Sequence, residues 1–114
     1  MTLTITAPGP EQKYHVLRFS GNLDTQSAQD CSGQIDELLC AGKTALVGDL
    51  AELKFISSAG IGLLIRVSRE AKRLGGDFRL AGAQMYVKEI LELSGVSRAF
   101  KLYDSVQEAE SGLS

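Results

Sequence analysis

With 114 residues, 44% hydrophobic and 23% charged, the chain suits one domain with one modest core that needs no disulfide or metal staple. A formal net charge of -2 gives neither nucleic acid nor an anionic membrane an electrostatic hold. The first five residues lack the basic start and apolar run of a signal peptide, and no apolar stretch reaches the roughly 20 residues of a membrane span, so a cytoplasmic protein is expected.

Thr2 to Ala7 alternates threonine with Leu3 and Ile5, the period of a half-buried edge strand. Pro8 to Gln12 reads as a turn, and Tyr14 to Phe19 as a second strand closing a hairpin. His15, the single histidine, is expected to face outward and has no base partner or second ligand in sequence. Gly21-Asn22-Leu23-Asp24 follows, with Asp24 or Thr25 as a helix cap. Ala28, Cys31, Ile35, Leu38 and Leu39 then recur at helical spacing until Ala41-Gly42-Lys43. Cys31 and Cys40 match neither a redox pair nor a zinc pattern, and both are expected as buried or half-buried free thiols.

Thr44 to Leu50 is a mostly apolar run, as a buried parallel strand requires. A short apolar turn to Ile56 leads to Ser57 and Ser58 and a helix running to Leu74, stopped by Gly75-Gly76. Asp77 to Gly82 forms the next strand, Gln84 to Ser94 a third helix with Val87, Ile90, Leu91 and Leu93 as its apolar positions, and Gly95 its stop. Phe100 to Tyr103 makes a last short strand, after which Asp104 or Ser105 caps a terminal helix that frays at 111–114. The order β-β-α-β-α-β-α-β-α implies right-handed crossovers and a mostly parallel sheet with one antiparallel hairpin partner.

The helix after Ile56 carries the informative residues. Ser57 suits the N-cap, and Ser58 falls in the first turn at the positive end of the helix dipole. At 100° per residue, Ile61, Leu64, Ile65, Ser68 and Ala71 gather on one side, expected to pack on the sheet. Ser58, Gly62, Arg66, Arg69 and Arg73 form the opposite stripe. A glycine exposed inside a helix costs about 1 kcal/mol relative to alanine, so Gly62 suggests a need for close approach. On local grounds alone, the two serines read as a cap and the arginines as a solvated face. Gly60-x-Gly62 lacks the rest of a phosphate-binding loop, and no glycine stands two before either serine as a nucleophile elbow requires. No acid–base pair or metal cluster is assembled, so an enzyme, a cofactor and a metal are not expected.

Three motifs in order resemble the STAS family (sulfate transporter and anti-sigma-factor antagonist) across nearly the whole chain. Gly21-Asn22-Leu23-Asp24 is similar to the family's Gly-x-Leu-Asp before the first helix. Ser57-Ser58-Ala59-Gly60-Ile61-Gly62 resembles its Asp-Ser-Ser/Thr/Ala-Gly-Leu-Gly signature, and Leu91 to Val96 its Leu-x-x-x-Gly-Leu/Val stretch. The resemblance implies an α/β STAS fold, a mixed, mostly parallel sheet of four to five strands with about four helices. It implies an anti-sigma-factor antagonist phosphorylated on the residue at Ser58. Its partners would be a serine-kinase anti-sigma factor of the histidine-kinase-like ATPase fold, bound in the unphosphorylated state, and a metal-dependent serine phosphatase that resets it. Asp24, Ser57, Ser58, Gly60, Gly62 and Arg66 are the expected partner-binding residues. Ser57 stands where the family carries aspartate, which removes a charge and adds a second candidate hydroxyl. Two other readings stay open: an unphosphorylated STAS scaffold in a signalling or transport assembly, and a nucleotide or small-molecule binding module.

Overall fold

The computed structural model describes residues 2–7, 14–93 and 102–111. Its elements are β1 (Thr2–Thr6), β2 (His15–Leu23), α1 (Thr25–Cys40), β3 (Ala45–Ile56), α2 (Ser58–Arg73), β4 (Asp77–Ala81), α3 (Met85–Leu93), β5 (Leu102–Tyr103) and α4 (Val106–Ser111). They form one five-stranded sheet in the order β1-β2-β3-β4-β5, with β1 antiparallel to β2 and every other pair parallel. The expected turn at 8–12, the stop at Gly95 and the strand start at Phe100 lie outside the described residues.

Pleat alternation divides the side chains between two faces. On one face Leu17 and Phe19 of β2, Leu46 and Leu50 of β3, and Phe78 and Leu80 of β4 pack with Ile35 of α1, Leu64 and Val67 of α2, and Val87 and Leu91 of α3. On the other, Val47, Ala81 and Ala109 form a smaller cluster under α4, flanked by Tyr14, Tyr103 and Val106. Arg79 ties that side together: its guanidinium donates to Asp77 at 3.0 Å and to the Tyr103 hydroxyl at 2.9 Å. Gly48 keeps the centre of the sheet close-packed, since a Cβ there would lie 2.9 Å from Leu80 Cδ2.

Both strands leading to the first two helices are longer than expected. β2 continues past Phe19 to Leu23, and the supposed turn before Ile56 is strand, because residues 20–23 and 52–56 go on pairing. Two register shifts interrupt this stretch, and at each β3 advances one residue more than β2. Such bulges bend a strand and re-aim its side chains.

Other expectations are corrected as well. The buried side of α2 comprises Gly60, Leu63, Leu64, Val67, Ser68 and Ala71, while Ile61 and Ile65 are only half-buried. The helix packs on α1 as well as on the sheet, which turns its buried face toward Gly60, Leu63 and Val67. Leu93 is 88% exposed, outside the apolar side of α3 that Val87 and Leu91 bury. Cys31 is buried, but Cys40, the last residue of α1, is exposed.

Candidate functional site

The first turns of α1 and α2 emerge side by side from the carboxyl ends of β2 and β3. Leu23 and Ile56 are register partners, and the Ser57 N–H donates to the Leu23 carbonyl at 2.9 Å. Adjacent strands lie about 5 Å apart, so the two N-caps, Asp24 and Ser57, are next-door neighbours. The bulges in β3 bring the serines to this level, and their signal in the sequence is faint. Glu52 to Phe55 alternates polar with apolar residues, but over only four positions.

Gly60 makes the junction tight. A Cβ at this position would come within 2.8 Å of Ile56 Cγ1 and Leu23 Cγ and 2.9 Å of the Leu23 carbonyl oxygen. Gly60 was expected among the partner-binding residues, yet it is buried and serves to seat α2 against the end of β2. Its neighbour in the motif differs: Gly62 is exposed, and a Cβ there would meet nothing within 4 Å.

The two serines occupy unlike settings. Ser57 is half-buried, and its Oγ accepts from the Gly60 N–H at 3.2 Å as the N-cap of α2. Ser58 is the first helical residue, is exposed, and its hydroxyl has no hydrogen-bond partner among the described residues. No acidic side chain stands in the first turn of α2, so its positive end is not neutralised from within that turn.

Asp24 caps α1 and is exposed, and Ser27 donates to its Oδ1 through both the hydroxyl (2.6 Å) and the backbone N–H (3.0 Å). These bonds, the hydroxyl's foremost, hold the Asp24 carboxyl below its ordinary value. Ser27 was not singled out in the sequence, although an Asp-x-x-Ser pattern at a helix start could have revealed it.

Between the helices runs a shallow groove, with Thr25, Gln29 and Ser32 on one wall and Ala59, Gly62 and Arg66 on the other. Arg66 does not belong to a free basic stripe. Its guanidinium donates to Asp36 Oδ1 at 3.0 Å and to the Ser32 hydroxyl, bracing α2 against α1 at the end of the groove. Arg69 and Arg73 are exposed, and Arg73 pairs with Glu70 at 2.8 Å.

His15 starts β2 opposite Leu46, at the other end of the strand from Leu23. It is half-buried, not facing freely outward, and burial followed by the charge of Lys43 lowers its pKa. Burial pushes the Cys31 thiol up to about 11, so it stays protonated at neutral pH. Among the described residues no three His, Cys, Asp or Glu side chains gather as a metal site would require, and no helix is long and apolar enough to cross a membrane.

The family model of the STAS domain matches residues 6–109. The anti-sigma-F factor antagonist RsfB of Mycobacterium tuberculosis is 26% identical over 98 residues, covering 86% of this chain and 80% of that protein. The crystal structure of an anti-sigma factor antagonist from Mycobacterium paratuberculosis superposes with a TM-score of 0.82 at 22% identity, covering 97% of this chain and 93% of that one. SpoIIAA, described as a Bacillus cell fate determinant and solved in its phosphorylated form, superposes with a TM-score of 0.73 at 19% identity, covering 99% and 100% of the two chains.

Proposed function

The chain belongs to the STAS-domain family, and from that premise we propose that it is an anti-sigma-factor antagonist switched by phosphorylation at Ser58. The observation that carries this reading is the contrast between the two serines. Ser57 spends its hydroxyl on the helix cap, whereas the Ser58 hydroxyl is exposed and unengaged. The similarity to RsfB supports the antagonist role, and the SpoIIAA neighbour, solved with phosphate attached, supports a phosphorylated state.

In this reading the unphosphorylated chain binds a serine-kinase anti-sigma factor of the histidine-kinase-like ATPase fold, in the cytoplasm, and so releases the sigma factor. The kinase phosphorylates Ser58, and a metal-dependent serine phosphatase reverses the change. The chain contributes surface, not catalysis: Asp24, Ser58 and Gly62 lie exposed at the neighbouring helix starts and along the groove that Arg66 closes. A phosphoserine adds about -1.5 to -2 charges, which the first turn of α2 tolerates because its own dipole favours an anion. The cost falls on the interface, where the dianion must be desolvated against the partner.

The test is phosphate mapping by mass spectrometry after incubation with ATP and each purified anti-sigma-factor kinase of the source genome. Phosphate on Ser58, retained in Ser57→Ala and lost in Ser58→Ala, is expected. Unmodified serines with every kinase would overturn the reading.

A further inference from the structure

The two ends of the sheet are finished differently. At one end β5 is only two residues long, and its Tyr103 packs against the small cluster that holds Ala109 of α4. At the other end β1 runs for five residues, with β2 as its one neighbour among the described strands. Alternate residues of an outer strand turn their N–H and C=O groups away from the sheet, a template for a further strand. Such edges are ordinarily blunted by brevity, charge, proline or a bulge. β1 uses none of these: Thr2-Leu3-Thr4-Ile5-Thr6 carries no charge and no proline, and it pairs with β2 in one register throughout.

The same five residues are self-complementary. Laid antiparallel on a second copy about a two-fold axis at Thr4, Thr2 meets Thr6, Leu3 meets Ile5 and Thr4 meets Thr4. Hydroxyl then faces hydroxyl on one side of the sheet and aliphatic faces aliphatic on the other, and such cross-strand pairs are favourable. Leu3 and Ile5 are only half-buried at the rim of the core, while Thr2, Thr4 and Thr6 are exposed. A second copy completes the cover of the two aliphatic side chains. The contact also closes on itself, because it uses both β1 edges and leaves only the two short β5 edges outside.

We propose that β1 is a self-association edge, through which two copies of the chain join their sheets into one. The two-fold axis stands perpendicular to that sheet, so the α1, α2 and α3 layers of both copies lie on the same side. Because β1 runs antiparallel to β2, the carboxyl ends of β2 in the two copies point in opposite directions. Each Ser58 therefore sits at its own end of the dimer. One strand pair buries less than the roughly 1,000 Å2 of a stable complex, so the dimer is weak, with a Kd of about 100 μM. Neither the edge nor its register depends on the antagonist reading.

The test has two arms. In sedimentation equilibrium, wild type is expected to show the mass of one chain at about 10 μM and to approach that of two at about 1 mM. Thr4→Lys, which sets like charges opposite each other on the axis, is expected to stay a single chain throughout and to keep the wild-type urea midpoint at the low concentration. The second arm reads the register by disulfide trapping in a Cys40→Ser background, since Cys40 is the exposed native thiol. Thr4→Cys brings its two copies within the roughly 7 Å that a disulfide spans between Cα atoms. It is expected to cross-link at least about tenfold faster than Thr2→Cys or Thr6→Cys, whose copies lie about 14 Å apart. A wild type that remains one chain at every concentration would overturn the proposal and leave the edge to a strand of another protein. Equal trapping at the three positions would overturn it as well. Should Thr4→Lys fail to fold, wild-type sedimentation and the trapping arm decide.

Discussion

The first turns of α1 and α2 begin at the same end of the sheet, one strand apart, and are built for opposite behaviour. At α1 an acid provides the cap and a reciprocal set of bonds with Ser27 leaves it little freedom. At α2 the cap is a neutral hydroxyl, the first turn holds no acid, and the next side chain, Ser58, is bound to nothing among the described residues. One start carries a fixed charge. The other has room to acquire one. In the switch proposed above, the constant charge would set register and the variable one would change affinity.

The closeness of the two starts depends on Gly60, and breaking it should give the largest effect on stability. Gly60→Ala is expected to cost about 2 kcal/mol, the middle of the range for overpacking a core, because the new methyl meets both Leu23 and Ile56. Gly62→Ala, with open space around its Cβ, is expected to stabilise the helix by up to about 1 kcal/mol. Urea unfolding of both variants checks the contrast, and equal shifts in the same direction would remove the distinction between the two glycines.

The caps come next in size. Asp24→Ala and Ser57→Ala should each cost about 1 kcal/mol by the same measurement, while Ser58→Ala should leave the urea midpoint within about 0.5 kcal/mol of wild type. A Ser58→Ala loss as large as that of Ser57→Ala would mean that the Ser58 hydroxyl is engaged after all.

The smallest effect is the pH dependence of the α1 cap. Folding lowers the Asp24 pKa below its ordinary 3.8, chiefly through the Ser27 bonds. Its carboxylate therefore contributes stability at neutral pH that is lost as pH falls below 3.8 through the lower, folded value. The destabilisation caused by Asp24→Asn should accordingly shrink on going from pH 7 to pH 3. A constant difference across that range would show that the charge plays no part in the cap.

Much of this arrangement was legible from the residues. The order of elements, the parallel sheet with its one antiparallel hairpin, the cap at Ser57 and the helix stop before Gly75 all follow from periodicity and turn chemistry, and of the two candidates for the first cap, Asp24 and Thr25, the structure selects Asp24. The errors share a cause, which is that tertiary contacts decide what local pattern cannot. Residues 52–56 read as a turn because Glu52 to Phe55 offers only four alternating positions and burial does not follow them, Leu53 and Ile56 being buried and Phe55 exposed around a bulge, yet pairing with β2 keeps them in the sheet. Arg66 fell on the solvent side of a helical wheel, but a wheel contains no α1, whose Asp36 and Ser32 take up the guanidinium. The helical wheel set Gly62 on the exposed stripe, but the buried seat of Gly60 follows only from the approach of Leu23 and Ile56. Ser27 escaped notice because its role lies in a reciprocal bond with the residue three before it.

The most direct test of the account is calorimetric binding of the cognate anti-sigma factor by wild type, Ser58→Ala and Ser58→Asp. Alanine is expected to bind like wild type and aspartate to weaken binding by about a hundredfold or more, with backbone NMR shifts confined to the first turn of α2. Equal binding by the two variants would contradict the switch.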